Sequence, residues 1–303
     1  LIPLLVRAGF RPAMAAAAVA SCVMAGYFNP GVSHNPFIAK LAGMEVMEFV
    51  GGYANVTFMV CGCLVVLMTG VCVAYGDFKK GGFEDAAQTE EEHQDEKVNV
   101  LCALAPLVPV ALLLGFSFYI PSVKISVATA MLIGMMYAML VTRADPQKTI
   151  SKFFDGMGKQ LANVITIVIA GEFFAKGLTS TGSIDAMIQG AQTPGFGASG
   201  LTLVMIAIIA VCAILMGSGN APFFAFANLV PAIAAKTGVA ASFMVLPMHL
   251  IASSARAISP ITGVIIVASG MAGISPFDLV KRTAIPMAVS CILIVVANFV
   301  IFG

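Results

Sequence analysis

Residues 241–274 read ASFMVLPMHLIASSARAISPITGVIIVASGMAGI. An apolar stretch of this length can cross a bilayer, where about 20 residues suffice, yet its middle carries Arg256-Ala-Ile-Ser-Pro-Ile-Thr-Gly263. Pro removes a backbone donor and Gly and Ser weaken helix preference, so the cluster predicts a helix that unwinds part-way through the membrane. Unwound backbone at that depth survives only against protein or a water-filled cavity, because lipid offers no hydrogen bonds. Gly/Pro-interrupted hydrophobic segments of this kind mark the binding site in transporters built from two halves.

Two further apolar regions break in the same way. Region 13–44 is interrupted by Phe28-Asn-Pro-Gly-Val-Ser-His-Asn-Pro36, and region 200–230 by Gly217-Ser-Gly-Asn-Ala-Pro222. Five other runs, 52–75, 100–120, 125–142, 161–176 and 284–302, read as unbroken crossings. The fold class expected is an all-α integral membrane protein, an inverted-repeat transporter with broken helices and a re-entrant hairpin.

Composition agrees. Of 303 residues, 59% are hydrophobic and 10% charged, with no Trp, and mean hydropathy is +0.98. Soluble domains carry about 25% charged residues, so an ordinary soluble protein is excluded and a second, water-soluble domain has no room. The net charge of +1 hides a sorting. Residues 77–97 hold eight acids against Lys79, Lys80 and Lys97, while 13 basic residues face seven acids elsewhere. No basic cluster interleaved with aromatics supports nucleic-acid binding. The seven Cys lie inside apolar runs without a CxxC pair, and Cys61 and Cys63 stand about 200° apart on a helix, so they read as small apolar residues rather than metal ligands.

Sliding the chain on itself by 230 positions sets 29–50 against 259–280 and pairs Pro30 with Pro260, Ala42 with Ala272, Gly43 with Gly273 and Val50 with Val280, with Glu48 opposite Asp278. Each interval starts at a break, runs through a short half-helix, reaches a charge and leads into a full span. The chain therefore divides into 1–76, the remainder of a first repeat (broken helix 13–44, span 52–75), a cytoplasmic acidic linker 77–99, and a second repeat 100–303. Leu1-Ile-Pro3 resembles Leu229-Val-Pro231, so the partner of the 217–222 hairpin tip is expected before Leu1; the chain reads as a fragment with its N-terminal part missing and is expected not to transport alone. Placing Lys281 and Arg282 in the cytoplasm also puts the loop 143–160 (Arg143, Lys148, Lys152, Lys159) and the Arg7/Arg11 pair inside. Glu45 and Glu48 then fall outside, Asp278 inside, and the C-terminus is periplasmic. That tracing requires 200–230 to enter and leave from the outer side.

A helix that stops inside the membrane offers free N–H groups and a partial positive end, a seat for an anion's oxygens. Ser218, Asn220, Ser259 and Thr262 add neutral donors. Arg256 has no Asp or Glu in its segment, and its planar fork suits a carboxylate, so its partner is expected to be a ligand. The competing reading is that Arg256 caps carbonyls freed at the break. His34 lies in the first break and His249 two turns before Arg256 on the same face; either could carry a coupling proton. Glu172 and Lys176 are spaced to pair with each other. No Ser/His/Asp set, HExxH or Walker loop is present, and no enzyme is expected.

GSGNAPFFAF (217–226), residues 255–287 (ARAISPITGVIIVASGMAGISPFDLVKRTAIPM) and FFDGMGKQLANVITIVIAGEFFAKGL (153–178) together resemble the DcuC family of anaerobic C4-dicarboxylate carriers, the DcuD type most closely. The first break, FNPGVSHNP (28–36), departs from the Thr-Ser-Gly-Asp cluster of the DcuC type. The resemblance implies a secondary carrier for succinate, fumarate, malate or aspartate in a bacterial inner membrane, working by exchange or proton-linked transport. It also implies a distant likeness to the ion-transporter superfamily, whose members are usually homodimers. On this reading one carboxylate sits on Gly217, Ser218, Gly219 and Asn220. The other sits on Arg256, Ser259, Pro260 and Thr262, with Asn29 and Pro30 completing the cavity; no cofactor is expected beyond a coupling H+ or Na+. The rivals are a carrier of the same architecture for another organic anion, a sodium/proton antiporter, and a membrane-embedded scaffold or enzyme subunit with unbroken helices.

Overall fold

The structure, a computed structural model, describes residues 1–32, 34–79, 100–119, 125–183, 186, 189 and 197–301. The chain is an all-α membrane protein. Among the described residues the extended pairing is confined to an isolated bridge between Phe10 and Phe78. Three helices there are long and apolar enough to cross a membrane by themselves: Val46–Tyr75, Ser199–Met216 and Pro276–Ile301. Each turns bare apolar side chains outward, among them Val66, Leu215 and Ile292, as a lipid-facing surface requires.

In chain order, α1 (Ile2–Arg7) leads through Gly9 into α2 (Pro12–Ser21), which tightens into a 3-10 helix over Cys22–Phe28. The first break follows, then α3 (His34–Ala42) and α4 (Val46–Tyr75), which ends at a left-handed Gly76. Next, α5 (Val100–Leu104) and α6 (Val108–Tyr119) form the region read as one crossing, but a 3-10 turn at Ala105–Leu107 divides them where Pro106 removes a donor. After α7 (Val127–Thr142), the expected loop 143–160 is in fact a helix, α8 (Pro146–Gln160). It runs through a π-helical stretch, Leu161–Ile165, into α9 (Thr166–Ser180), so the crossing expected at 161–176 reaches further. Then come α10 (Gly197–Met216), α11 (Asn220–Ala227) and α12 (Val230–Thr237), followed by α13 (Ala241–Arg256), α14 (Gly263–Met271) and α15 (Pro276–Ile301).

The three breaks lie where the Gly/Pro/Ser/Asn clusters place them. The α13 helix is the core: its residues from Phe243 to Ala255 are all buried, and α10, α11, α3 and α15 pack along it. The α2 and α4 helices lean on α15 from the other side.

Backbone geometry recurs at the constant offset of 230. Asn29 N donates to Gly26 O at 3.0 Å as Ser259 N does to Arg256 O at 3.1 Å, and Val32 N to Asn29 O (3.1 Å) as Thr262 N to Ser259 O (3.3 Å). Met44 N meets Ala39 O at 2.9 Å as Ile274 N meets Ser269 O at 3.0 Å. Gly43 (φ 68°) and Gly273 (φ 64°) both turn left-handed, and Val46 and Pro276 open the long helices that follow. Glu48 and Asp278 stand in the first turns of those helices, where a negative charge complements the helix end. Even a side-chain contact repeats: Tyr53 Oη lies 3.2 Å from the Tyr27 carbonyl, and Thr283 Oγ1 donates to the Ala257 carbonyl at 2.9 Å.

One expectation fails at the end of α4. Asp77, placed in the solvated linker, is fully buried and takes two hydrogen bonds from Arg282, Nε to Oδ2 at 2.6 Å and Nη2 to Oδ1 at 3.0 Å. Arg11 approaches the same carboxylate at 3.9 Å, and the Tyr75 ring lies 5.0 Å from the Arg282 guanidinium. The acid count alone suggests solvation; the pairing needs Arg282, 205 residues away, which no local pattern reveals. Residues 80–99, the rest of that linker, lie outside the described residues.

Candidate functional site

The break after α10 is set by close backbone approach. Gly217 has φ 65°, and a Cβ there would lie 3.0 Å from the Ile261 carbonyl carbon and oxygen. A Cβ on Gly219 would overlap the backbone carbonyl of Ala252. Glycine is thus demanded twice, once by conformation and once by space. The 217–219 segment is wedged between α13 and Ile261 of the third break, and two of the three interruptions meet.

The first break joins them through its aromatic end. His34, the first residue of α3, stacks on Phe224 of α11 (5.1 Å between centroids, 9° between planes) and meets the Phe223 edge at 5.1 Å. Its ring lies 5.0 Å from that of His249 on α13, and the Asn220 side chain reaches it as well. Tyr27 contacts the other side of His249 at 4.4 Å. The starts of α3, α11 and α14 therefore gather around the C-terminal half of α13.

Two of those starts leave backbone N–H groups without a side-chain cap. Gly219 precedes α11 and has no side chain to offer; Thr262 precedes α14, but its hydroxyl donates instead to the Arg256 carbonyl at 2.6 Å. Uncapped N-termini of this kind are anion seats. Arg256 itself is half-buried at the end of α13. Its carbonyl is satisfied by Thr262 and by Ser259 N, and its guanidinium makes no hydrogen bond or ion pair among the described residues. The charge bears on His34 and Tyr27 across the same space. Capping of the break, the competing role for Arg256, falls to Thr262.

Unpaired polar atoms concentrate here. Among the described residues, the buried side-chain nitrogens and oxygens without a partner are Tyr27 Oη, both His249 ring nitrogens, Ser259 Oγ and Asn298 Oδ1. Tyr27 and Ser259 stand at the breaks, and His249 packs against Tyr27 and His34 from within α13. A buried orphan costs roughly 1–3 kcal/mol, and several in one place mark groups that wait for a polar partner.

Of the residues singled out in the sequence, Gly217, Gly219, Asn220, Arg256, Ser259, Thr262, His34 and His249 belong to this cluster. Ser218 is half-buried between the two glycines, and Pro260 is half-buried beside Ser259. Asn29 and the buried Pro30 act at one remove: Asn29 Oδ1 accepts from Gly31 N at 2.9 Å and shapes the first turn. Three contributors escaped the sequence reading. Asn35 Nδ2 donates to the carbonyls of Tyr27 (3.0 Å) and Asn29 (2.9 Å), and its Oδ1 accepts from Tyr53 Oη at 2.9 Å, so this buried amide clamps the unwound backbone. Tyr27 lies buried against His249 with Ser253 beside its hydroxyl. Asn35 lay within the quoted break; Tyr53 is signalled only as the repeat counterpart of Thr283. The expected Glu172–Lys176 pair does not form: both side chains are exposed and no ion pair joins them. Exposed pairs of this spacing gain only a few tenths of a kcal/mol. No group of three His, Cys, Asp or Glu among the described residues could hold a metal ion.

The sequence model of the DcuC family, C4-dicarboxylate anaerobic carrier, matches residues 1–303. A probable anaerobic C4-dicarboxylate transporter DcuC of Vibrio cholerae is 27% identical over 311 residues, covering 99% of this chain and 67% of that protein. A putative uncharacterized transporter of Haemophilus influenzae is 34% identical over 84% of this chain and 94% of its own. The anaerobic C4-dicarboxylate transporter DcuC of Escherichia coli K12 is 33% identical over 58% of this chain and 39% of its own. The chain thus spans about two thirds of the length of the Vibrio protein and less of the Escherichia coli one. No solved structure matches. With a family match over its whole length and a relative 34% identical across nearly all of that relative, the chain belongs to the DcuC family of C4-dicarboxylate carriers.

Proposed function

We propose that the chain carries C4-dicarboxylates across a bacterial inner membrane as a secondary transporter, by exchange or proton-linked transport. One carboxylate would rest on the N–H groups at the start of α11 with Ser218 and Asn220. The other would rest on Arg256, Ser259 and the start of α14, with the first break closing the cavity. The observation that carries this reading is an Arg256 guanidinium with no hydrogen bond or ion pair among the described residues, beside two uncapped helix starts and an orphaned Ser259 hydroxyl. Each helix end contributes about half a positive charge, so two ends and one guanidinium offer roughly +2, a match for a dianion.

The constant offset of 230 in the backbone hydrogen bonds supports two repeats, and the placement of Lys and Arg supports their opposite topology. The re-entrant reading of α10 and α11 is supported by the Gly217–Gly219 turn against α13, although α10 alone is long enough to cross. His34 and His249, 5.0 Å apart, are the proposed route for a coupling proton. A homodimer with periplasmic C-termini completes the arrangement. A sodium/proton antiporter is less well supported, because the residues gathered at the breaks include no carboxylate. A scaffold would keep continuous helices at 200–230 and 241–274, where breaks stand instead.

Proteoliposomes holding the full-length protein and loaded with unlabelled fumarate test the proposal. Labelled succinate should enter by exchange, competed by other C4-dicarboxylates, and Arg256→Ala should stop it. Undiminished flux in that variant would overturn the assignment; comparison of two sodium concentrations and of imposed proton gradients identifies the coupling ion.

A further inference from the structure

Among the described residues, the helix α8 packs mainly against the π-helical stretch that follows it. It is started by Asp145, whose carboxylate accepts from Gln147 N at 2.9 Å, and by Pro146 at its first position. It is isolated from α7 by the left-handed Arg143 (φ 50°). None of its described side chains is buried. Ile150, Phe153, Phe154 and Met157 follow the i, i+3, i+4, i+7 spacing of one helical face, each 38–58% exposed, and Leu161 continues that face into the π-helical stretch. At 100° per residue, Lys148, Lys152, Asp155 and Lys159 fall on the opposite face.

Such a stripe cannot face water without cost; the helix before it, α7, is apolar, and the π-helical stretch Leu161–Ile165, a place where helices bend, separates it from α9. We propose that α8 lies flat in the membrane interface, its Ile150/Phe153/Phe154/Met157 stripe in the acyl boundary and its lysines among anionic phospholipid headgroups. The dimensions agree. A helix is about 10–12 Å across and the headgroup layer about 5–7 Å thick on each side of the hydrocarbon, so a half-immersed helix lifts its polar face to the level of the phosphates. Three lysines against one aspartate give α8 the charge that anionic lipid complements. Another protein or a second copy of the chain on this stripe would give different outcomes in the test.

The chain contains no Trp, so a single introduced Trp is an unambiguous reporter. Phe154→Trp and Lys152→Trp proteins are reconstituted in phosphatidylcholine vesicles, with and without about one third phosphatidylglycerol, each lipid brominated in turn. Fluorescence of the Phe154→Trp protein should be blue-shifted and quenched by acyl-chain bromine, and that of Lys152→Trp should be neither. Brominated phosphatidylglycerol should quench Phe154→Trp at least twofold more than the same fraction of brominated phosphatidylcholine, and Lys148→Gln/Lys152→Gln/Lys159→Gln should erase that preference while quenching persists. Absence of quenching at position 154 would overturn the interfacial placement, and a blue shift without quenching would mean a protein partner covers the face. Equal quenching by both lipids, or a preference untouched by the triple substitution, would overturn the anionic-lipid assignment.

Discussion

Replacing Asp77 by Ala strips a buried guanidinium of its counter-charge. Asp77 is fully buried, and Arg282, only 8% exposed, holds it through two hydrogen bonds. Arg11 is half exposed at 3.9 Å, a geometry worth at most about 1 kcal/mol. The Arg282 pair differs because both groups are out of water: removing one member of a buried pair costs roughly 3–5 kcal/mol through the charge left behind. Arg282 keeps its bond to the Asp278 carbonyl (2.8 Å) and the Tyr75 ring, which places the loss near the lower figure. At about 2–4 °C per kcal/mol, a 3 kcal/mol loss lowers the unfolding midpoint by roughly 6–12 °C. With no Trp in the chain, unfolding in detergent is best followed by a thiol-reactive fluorogenic dye; the buried Cys72, whose carbonyl accepts from Asp77 N, reports the region directly. The double variant Asp77→Ala/Arg282→Met should recover most of the loss, because an apolar replacement removes the stranded charge. A single variant within about 1–2 °C of the parent, or a double variant no better than the single, would refute the reasoning.

Gly219→Ala should destabilise by about 1–3 kcal/mol and abolish exchange, since its Cβ overlaps the Ala252 carbonyl and neither backbone can yield; normal exchange with normal thermal stability would contradict this. Tyr53→Phe should cost roughly 1–3 kcal/mol by stranding buried Asn35 Oδ1, and Thr283→Val a comparable amount at Ala257 O, both read as midpoint shifts. His249→Gln should remove the response of uptake to an imposed proton gradient while leaving counterflow exchange in place; an intact gradient response would eliminate this histidine from coupling.

Much of the site was legible because its signals are local. The clusters at Gly217–Pro222 and Arg256–Gly263 predict breaks from residue chemistry alone, and breaks stand there. Arg256 was identified by the absence of a nearby acid, and its guanidinium is indeed unpartnered among the described residues. Contacts over long separations stayed hidden: Asp77 with Arg282, Tyr53 with Asn35, and the meeting of Gly219 with Ala252. The π-helical join that merges α8 with α9 was missed because Gly156 and Gly158 resemble a loop. The hydrophobic period of residues 150–157, read on its own, identifies that helix.

If Arg256 and the starts of α11 and α14 hold a dianion, equilibrium titration of the purified full-length protein with succinate or fumarate shows it. The parent protein should bind either dianion and should bind the monoanion butyrate at least 100-fold more weakly. Arg256→Ala, losing about 2 kcal/mol or more from a desolvated charge pair, should weaken dianion binding about 30-fold or more with its fold intact. Binding of succinate within twofold of the parent in that variant, or butyrate bound as tightly as succinate, would contradict the claim.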